Sequence, residues 1–90
     1  MRKVFKTELP VTNVPYKLRV DTSFNPVHIG LQNGVPHMWY EVDTAATAEL
    51  LYIEMFGTGW EISDEELLPI SSVILPSGFV AHYYGKFIDE

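Results

Sequence analysis

The sequence predicts an all-β or β-dominated α+β domain, a small antiparallel sandwich or partly open barrel of six to seven strands with one short helical turn. The strongest observation is Asn33-Gly34, which lies between two segments of alternating apolar residues, 27–32 and 35–42. Both residues tolerate the positive φ that a two-residue type I′ turn requires. Similar alternating segments, separated by proline or glycine, recur along the chain. Ninety residues suffice for one modest core, so residues 1–90 are expected to form a single domain.

The first three strands follow from alternation. Residues 4–9 are predicted to form a strand that ends at Pro10, and residues 16–20 a second strand with Tyr16, Leu18 and Val20 facing inward. The segment before Asn33-Gly34 supplies the third. Because proline cannot donate to a ladder, the strand after this turn is expected to start near Pro36 or His37.

The second half of the chain continues the same pattern. Residues 50–56 are almost continuously apolar, which indicates a strand buried on both faces, with a short helix from Thr47 as the alternative. Residues 44–48 read as a connection. Residues 63–69 carry a serine cap, three carboxylates and a proline, which predicts one helical turn. Segments 72–75 and 78–88 are expected to form a final hairpin.

Aromatic neighbours on these strands must point to opposite faces. In Trp39-Tyr40 and in Tyr83-Tyr84, strand alternation sends the two rings of each pair to opposite sides of the sheet. One ring of each pair is then a candidate for a partner interface or for stacking on a ligand.

Charge and composition exclude several classes of protein. The net charge is −6, yet the first 19 residues hold five basic residues and one carboxylate, whereas the remainder holds one lysine and eleven carboxylates. The overall negative charge argues against general nucleic-acid binding. The basic N-terminal segment could bind one small anion, or its charges could simply prevent a sheet edge from pairing with other chains. Cysteine is absent, and neither a secretory signal nor an apolar run of about 18 residues is present, so we expect a soluble cytoplasmic protein.

No catalytic set is apparent, and we expect no enzyme, metal or cofactor. His28, His37 and His82 are spread along the chain and are interpreted as structural, and no Gly-x-Ser-x-Gly segment is present. In the segment 57–60, Gly-Thr-Gly-Trp, two glycines allow another group to approach the backbone closely beside the Trp60 indole. It is either a tight turn whose Trp60 anchors the core or part of a binding loop.

Several short segments stand out by their order and spacing. They are a basic residue with Val4-Phe5-Lys6, the turn Gln32-Asn33-Gly34-Val35-Pro36, the pair Val42-Asp43, the turn Gly57-Thr58-Gly59 and the strand Gly78-Phe79-Val80-Ala81-His82. In these the chain resembles a family of short phage and prophage proteins of unknown function. It departs from that family by having Trp60 in place of a histidine. The resemblance implies a phage origin and expression in the cytoplasm of an infected bacterial host.

These observations lead to a functional hypothesis. We expect a non-enzymatic phage accessory protein that counters its host by binding, either a host defence protein or a small nucleotide-like signal, and that forms a homo-oligomer. The alternative is a structural or assembly module that acts by self-association or virion contacts. A third hypothesis is that the acidic part of the chain, residues 20–90, mimics DNA. No membrane partner is expected. The candidate binding residues include three that contribute aromatic rings, Trp39, Trp60 and Tyr83, and one that contributes a hydroxyl, Thr58. Four more contribute positive charge: Arg2, Lys3, Lys17 and Arg19.

Overall fold

The computed structural model describes residues 1–21, 23–43 and 48–88. These ranges contain seven strands and no helix, so the predicted β class is confirmed, as two antiparallel sheets and not a closed barrel. The strands are β1 (Arg2–Glu8), β2 (Tyr16–Asp21), β3 (Asn25–Gln32), β4 (Val35–Asp43), β5 (Ala48–Gly57), β6 (Leu68–Ile74) and β7 (Val80–Ile88). No described segment forms a helix with the length and hydrophobicity needed to cross a bilayer.

The sheets pack face to face around one core. The three-stranded sheet has the order β1-β4-β3, and the four-stranded sheet has the order β2-β5-β7-β6. Burial of alternate side chains on the central strands supplies most of the driving force. The buried apolar residues are Leu9, Val20, Ile29, Met38, Tyr40, Val42, Leu51, Ile53, Met55, Ala81 and Tyr83. We call the sides turned away from this core the outer faces.

The Asn-Gly hairpin forms as predicted. Asn33 and Gly34 have φ of 53° and 79°, as a type I′ turn requires. The expected start of the following strand was wrong by one or two residues, since β4 begins at Val35 and includes Pro36. Pro36 is tolerated because it pairs with Leu31 one position beyond the pair that closes the turn, where its nitrogen points away from β3.

Two further expectations concern the segments on either side of the 57–60 turn. Residues 50–56 form the central part of β5, and the helical alternative is wrong; Thr47, where it would have started, lies outside the described residues. The helical turn expected over 63–69 is reduced to one hydrogen-bonded turn, in which the Leu67 amide donates to the Asp64 carbonyl at 3.2 Å. The Asp64 side chain accepts from the Glu66 amide at 3.0 Å, and β6 starts immediately afterwards, at Leu68.

The C-terminal hairpin also forms, with Gly78 at φ 91° in its turn. Its first strand starts four residues earlier than expected. The two aromatic pairs divide between faces as alternation requires: Tyr40 and Tyr83 are buried, whereas Trp39 and Tyr84 lie half-buried on the outer faces.

Candidate functional site

The predicted binding residues do not form one cluster. Trp39 lies on the outer face of the three-stranded sheet, and Tyr83 lies in the core. The other six divide among three places: Arg2 and Lys3 are on β1, Lys17 and Arg19 are on β2, and Thr58 and Trp60 follow β5.

Tyr83 cannot stack on a surface ligand in this fold. Its side chain is 0% exposed, and its hydroxyl donates to the Pro10 carbonyl at 2.7 Å. Burial raises the pKa of its phenol to about 12. The expectation that Tyr83 is the exposed, ligand-binding tyrosine was wrong. Alternation places Tyr83 and Tyr84 on opposite faces but does not indicate which of them faces the core.

The segment 57–60 forms a tight turn at the end of β5. The Trp60 amide donates to the Gly57 carbonyl at 3.1 Å, and Gly59 has φ 86°, which a type II turn requires at its third residue. Gly57 is needed for a different reason: a Cβ there would lie 2.7 Å from the Trp60 ring and 3.0 Å from that of Phe79. The indole therefore packs directly over the Gly57 backbone, with its centroid 5.9 Å from that of Phe79, yet it remains 48% exposed.

Next to this turn, His82 of β7 is held between two hydroxyl groups. Its Nε2 lies 2.8 Å from the Thr58 hydroxyl, and its Nδ1 lies 2.6 Å from the Ser72 hydroxyl. Ser72 and His82 are directly opposite each other in the β6–β7 register. Both ring nitrogens are thus satisfied, and the bond from Thr58 ties the glycine turn to the outer face of the four-stranded sheet.

Thr58 and His82 border an open pocket of about 200 Å³. Its walls are the Trp60 indole, the imidazole of His82 and the rings of Phe56 and Tyr84, which meet edge-on with centroids 5.7 Å apart. Thr58 adds its hydroxyl at the rim. The pocket therefore combines flat aromatic surfaces with groups that can donate or accept a hydrogen bond, the combination typical of small-molecule sites. We call it the His82 pocket.

The chemistry of the His82 pocket suits hydrogen bonding better than nucleophilic attack. Ser72 and His82 are within the distance of a nucleophile and its base, but the second imidazole nitrogen meets a hydroxyl where a triad has an orienting carboxylate. A neutral imidazole donates through one nitrogen and accepts through the other, so its two neighbours can exchange donor and acceptor roles. A ligand in the pocket could replace the Thr58 hydroxyl as the hydrogen-bond partner of His82.

The four predicted cations lie outside this pocket. Arg2 contacts Glu41 at 3.2 Å on the outer face of the three-stranded sheet. Lys17 pairs with Tyr52 in the β2–β5 register, and Arg19 pairs with Leu50, which places both on the edge of the other sheet. None of these four side chains lines the His82 pocket.

A second aromatic surface surrounds Trp39. Its ring lies 5.8 Å from that of His28 and 6.0 Å from that of His37, and the His28 ring covers Gly30, where a side chain would collide with it. Lys6 is directly opposite Trp39 in the β1–β4 register and donates to the Gln32 side chain at 2.7 Å.

A cleft of about 480 Å³, larger than the His82 pocket, opens beside β6 and has mainly apolar walls that include Phe24, Ile70 and Phe87. Its charged rim residues are Lys86 and Glu66. The Lys86 ammonium already contacts Asp64 at 2.6 Å, and this hydrogen bond lowers the pKa of the Asp64 carboxyl and raises the pKa of Lys86. Across the described ranges, no three His, Cys, Asp or Glu side chains are arranged to hold a metal ion.

The sequence alone led us to interpret His82 as structural, without a connection to Ser72 or Thr58. The sequence contained a signal for the contact between Ser72 and His82. Each lies five residues from Ser77 at the centre of the Pro76-Ser77-Gly78 turn, so the two are expected to face each other on paired strands. Thr58 was singled out, but its contact with His82 depends on how the 57–60 turn folds back onto the sheet.

Comparison with known proteins adds a family but no activity. The family described as "Domain of unknown function (DUF7352)" matches residues 1–89. The chain belongs to this family. No curated protein and no solved structure matches the DUF7352 chain.

Proposed function

We propose that this DUF7352 protein acts by binding, without catalysis, and that the His82 pocket takes one planar ring of a small nucleotide-like ligand. One observation supports the proposal above all: the Trp60 indole, the His82 imidazole and two further aromatic rings line one cavity. The two further rings are those of Phe56 and Tyr84. Stacking of a base on an aromatic side chain contributes about 1–3 kcal/mol, and hydrogen bonds to Thr58 or His82 would set its orientation.

The size of the pocket limits what it can hold. Drug-sized ligands occupy roughly 300–1,000 Å³, and the His82 pocket has about 200 Å³. A single ring system therefore fits, and the sugar and phosphates of a nucleotide would lie outside. Because Arg2, Lys3, Lys17 and Arg19 do not line this pocket, we propose that phosphate contacts from these residues come from a second copy of the chain.

The biological setting is a separate part of the proposal. A phage accessory protein that binds a host signal, or a host defence protein, in the bacterial cytoplasm is supported by the resemblance of the strand and turn segments alone. The same pocket would then remove the signal from its receptor by holding it.

The test is a thermal-shift screen against cyclic nucleotides and nucleotide sugars at low salt. We expect at least one compound to raise the melting temperature by several degrees at saturating concentration. Trp60→Ala should abolish the shift, and Trp39→Ala, which removes an indole from the opposite sheet, is the matched control and should keep it. No shift with any compound, or equal loss in both variants, would refute the His82 pocket as the binding site.

A structural or assembly role is the second candidate, favoured by the edge of β1, which pairs only with β4 within the described residues. It predicts that the protein is incorporated into virions. Copurification of a stoichiometric host protein from infected cells would instead support the binding role.

A further inference from the structure

Among the described strands, β1 pairs with β4 alone, and its opposite edge offers a regular row of backbone donors and acceptors. The Leu9 amide donates to the Pro36 carbonyl at 2.9 Å, which continues the β1–β4 ladder by one pair. Because hydrogen-bonding direction alternates along a strand, Lys3, Phe5 and Thr7 direct their backbone groups toward β4. The backbone groups of the intervening residues point away from the sheet; these are Arg2, Val4, Lys6 and Glu8.

From this arrangement we propose that β1 pairs antiparallel with β1 of a second copy, joining the two three-stranded sheets into one sheet of six strands. The edge of β1 is separate from the His82 pocket, and dimerisation through it does not depend on ligand binding. It would supply the self-association that the second candidate role needs. An exposed edge strand is the element through which such sheet extension takes place.

The side chains of β1 select one register among the two-fold arrangements that match these backbone directions. A two-fold axis at Val4 places Arg2 opposite Lys6, and an axis at Lys6 places two lysines opposite each other; both arrangements oppose like charges. An axis at Phe5 places Arg2 opposite Glu8 of the partner subunit, and Val4 opposite Lys6 of the partner subunit. An axis at Thr7 also places Lys6 opposite Glu8 of the partner subunit, but it leaves Arg2 and Val4 beyond the end of the second β1. Only the axis at Phe5 pairs all four outward-directed residues and opposes no like charges directly.

The same register joins apolar groups at its centre. The two copies of Phe5 would form a pair without backbone hydrogen bonds, in which Cα atoms approach to about 4.5 Å and side chains are closest. Phe5 is 44% exposed in the single chain and Val4 is 57% exposed, so both have apolar surface left to cover. The backbone groups of Arg2, Val4, Lys6 and Glu8 would be satisfied in four hydrogen-bonded pairs.

The experiment is sedimentation equilibrium of the full chain over a range of micromolar concentrations. The wild type is expected to approach twice its mass of 10.3 kDa as concentration rises. Glu8→Lys should weaken dimerisation about tenfold, because it replaces two attractive cross-strand pairs by two repulsive ones. Glu61→Lys makes the same change of charge at an exposed residue outside β1 and should leave dimerisation unchanged.

A mixing experiment tests the register itself. Arg2→Glu alone should dimerise as poorly as Glu8→Lys, but a mixture of the two variants restores both attractive pairs in the heterodimer and should recover dimerisation to within about threefold of the wild type. Circular dichroism establishes that each variant is folded. A monomeric wild type, equal effects of Glu8→Lys and Glu61→Lys, or a mixture of folded variants that fails to dimerise would each overturn the proposal.

Discussion

Replacing Tyr83 by Phe removes one hydroxyl from the centre of the core and leaves the ring in place. Tyr83 is fully buried, and its hydroxyl holds the Pro10 carbonyl at 2.7 Å, which fixes the segment after β1 against the four-stranded sheet. The substitution leaves that carbonyl without its donor. Loss of such a bond costs about 1–2 kcal/mol of unfolding free energy, which lowers the melting temperature by roughly 4–8 °C per kcal/mol in a domain of this size.

The pH dependence of this difference gives a second, independent measure. Burial raises the pKa of Tyr83 from 10.0 to about 12, so the unfolded chain loses this proton before the folded chain does. The stabilisation is complete below about pH 10 and falls as the pH rises through about 12, by on the order of 2 kcal/mol. The advantage of the wild type over Tyr83→Phe should therefore shrink above pH 10. The raised pKa values of Tyr40 and Tyr52 affect both proteins and cancel in this comparison.

Urea unfolding followed by tryptophan fluorescence, repeated from about pH 7 to about pH 11.5, measures both effects. Tyr84→Phe is the matched control, because it removes a hydroxyl from the next residue, which is half-buried on the outer face, and should change stability by less than about 0.5 kcal/mol. Equal stability of Tyr83→Phe and wild type at neutral pH, or a difference that stays constant into alkali, would show that the Tyr83 hydroxyl is not buried as described.

Three other substitutions test the 57–60 turn and the ion pair of β7. Gly57→Ala should displace the indole of Trp60, which a Cβ would approach to 2.7 Å, and shift its fluorescence to longer wavelength; Gly59→Ala, with open space around its Cβ but φ 86°, should cost about 1 kcal/mol and leave the spectrum unchanged. An unshifted Gly57→Ala spectrum would contradict this packing. Asp64→Asn should melt lower than the wild type at neutral pH, and the two should converge in acid, because hydrogen bonding from Lys86 depresses the Asp64 pKa below 3.8 and its stabilisation disappears as pH falls through that lowered pKa. Melting curves from about pH 7 to about pH 2 that stay parallel would refute this.

Local chemistry accounts for the expectations that were confirmed. Asn33-Gly34 alone specifies a turn, since few other residue pairs accept two successive positive φ values, and the alternation on either side specifies two strands. The expected helix over 63–69 is limited to one hydrogen-bonded turn for a local and a distant reason: the Asp64 carboxylate accepts from the nearby Glu66 amide, and it also pairs with Lys86 of β7. The chain then enters β6 at Leu68. A serine followed by carboxylates is compatible both with the start of a helix and with a single turn that leads into a strand.

The candidate site depends on contacts between distant residues, which alternation does not specify. Thr58 and His82 are 24 residues apart in sequence, and their hydrogen bond exists because the turn after β5 folds back over β7. Likewise, Trp39 acquires Lys6 as a neighbour only through the pairing of β1 with β4, across 33 positions. Neither pairing has a signature within a short window of residues.

By itself the amino-acid sequence determined the β class, most strand positions and the turns at Asn33-Gly34 and Gly78, because backbone sterics and a two-residue period act over a few neighbouring residues. The order of the strands, the burial of Tyr83 in place of Tyr84 and the assembly of the His82 pocket were decided by tertiary structure. Alternation divides side chains between two faces, and only the packing of one sheet on the other selects which face loses its water.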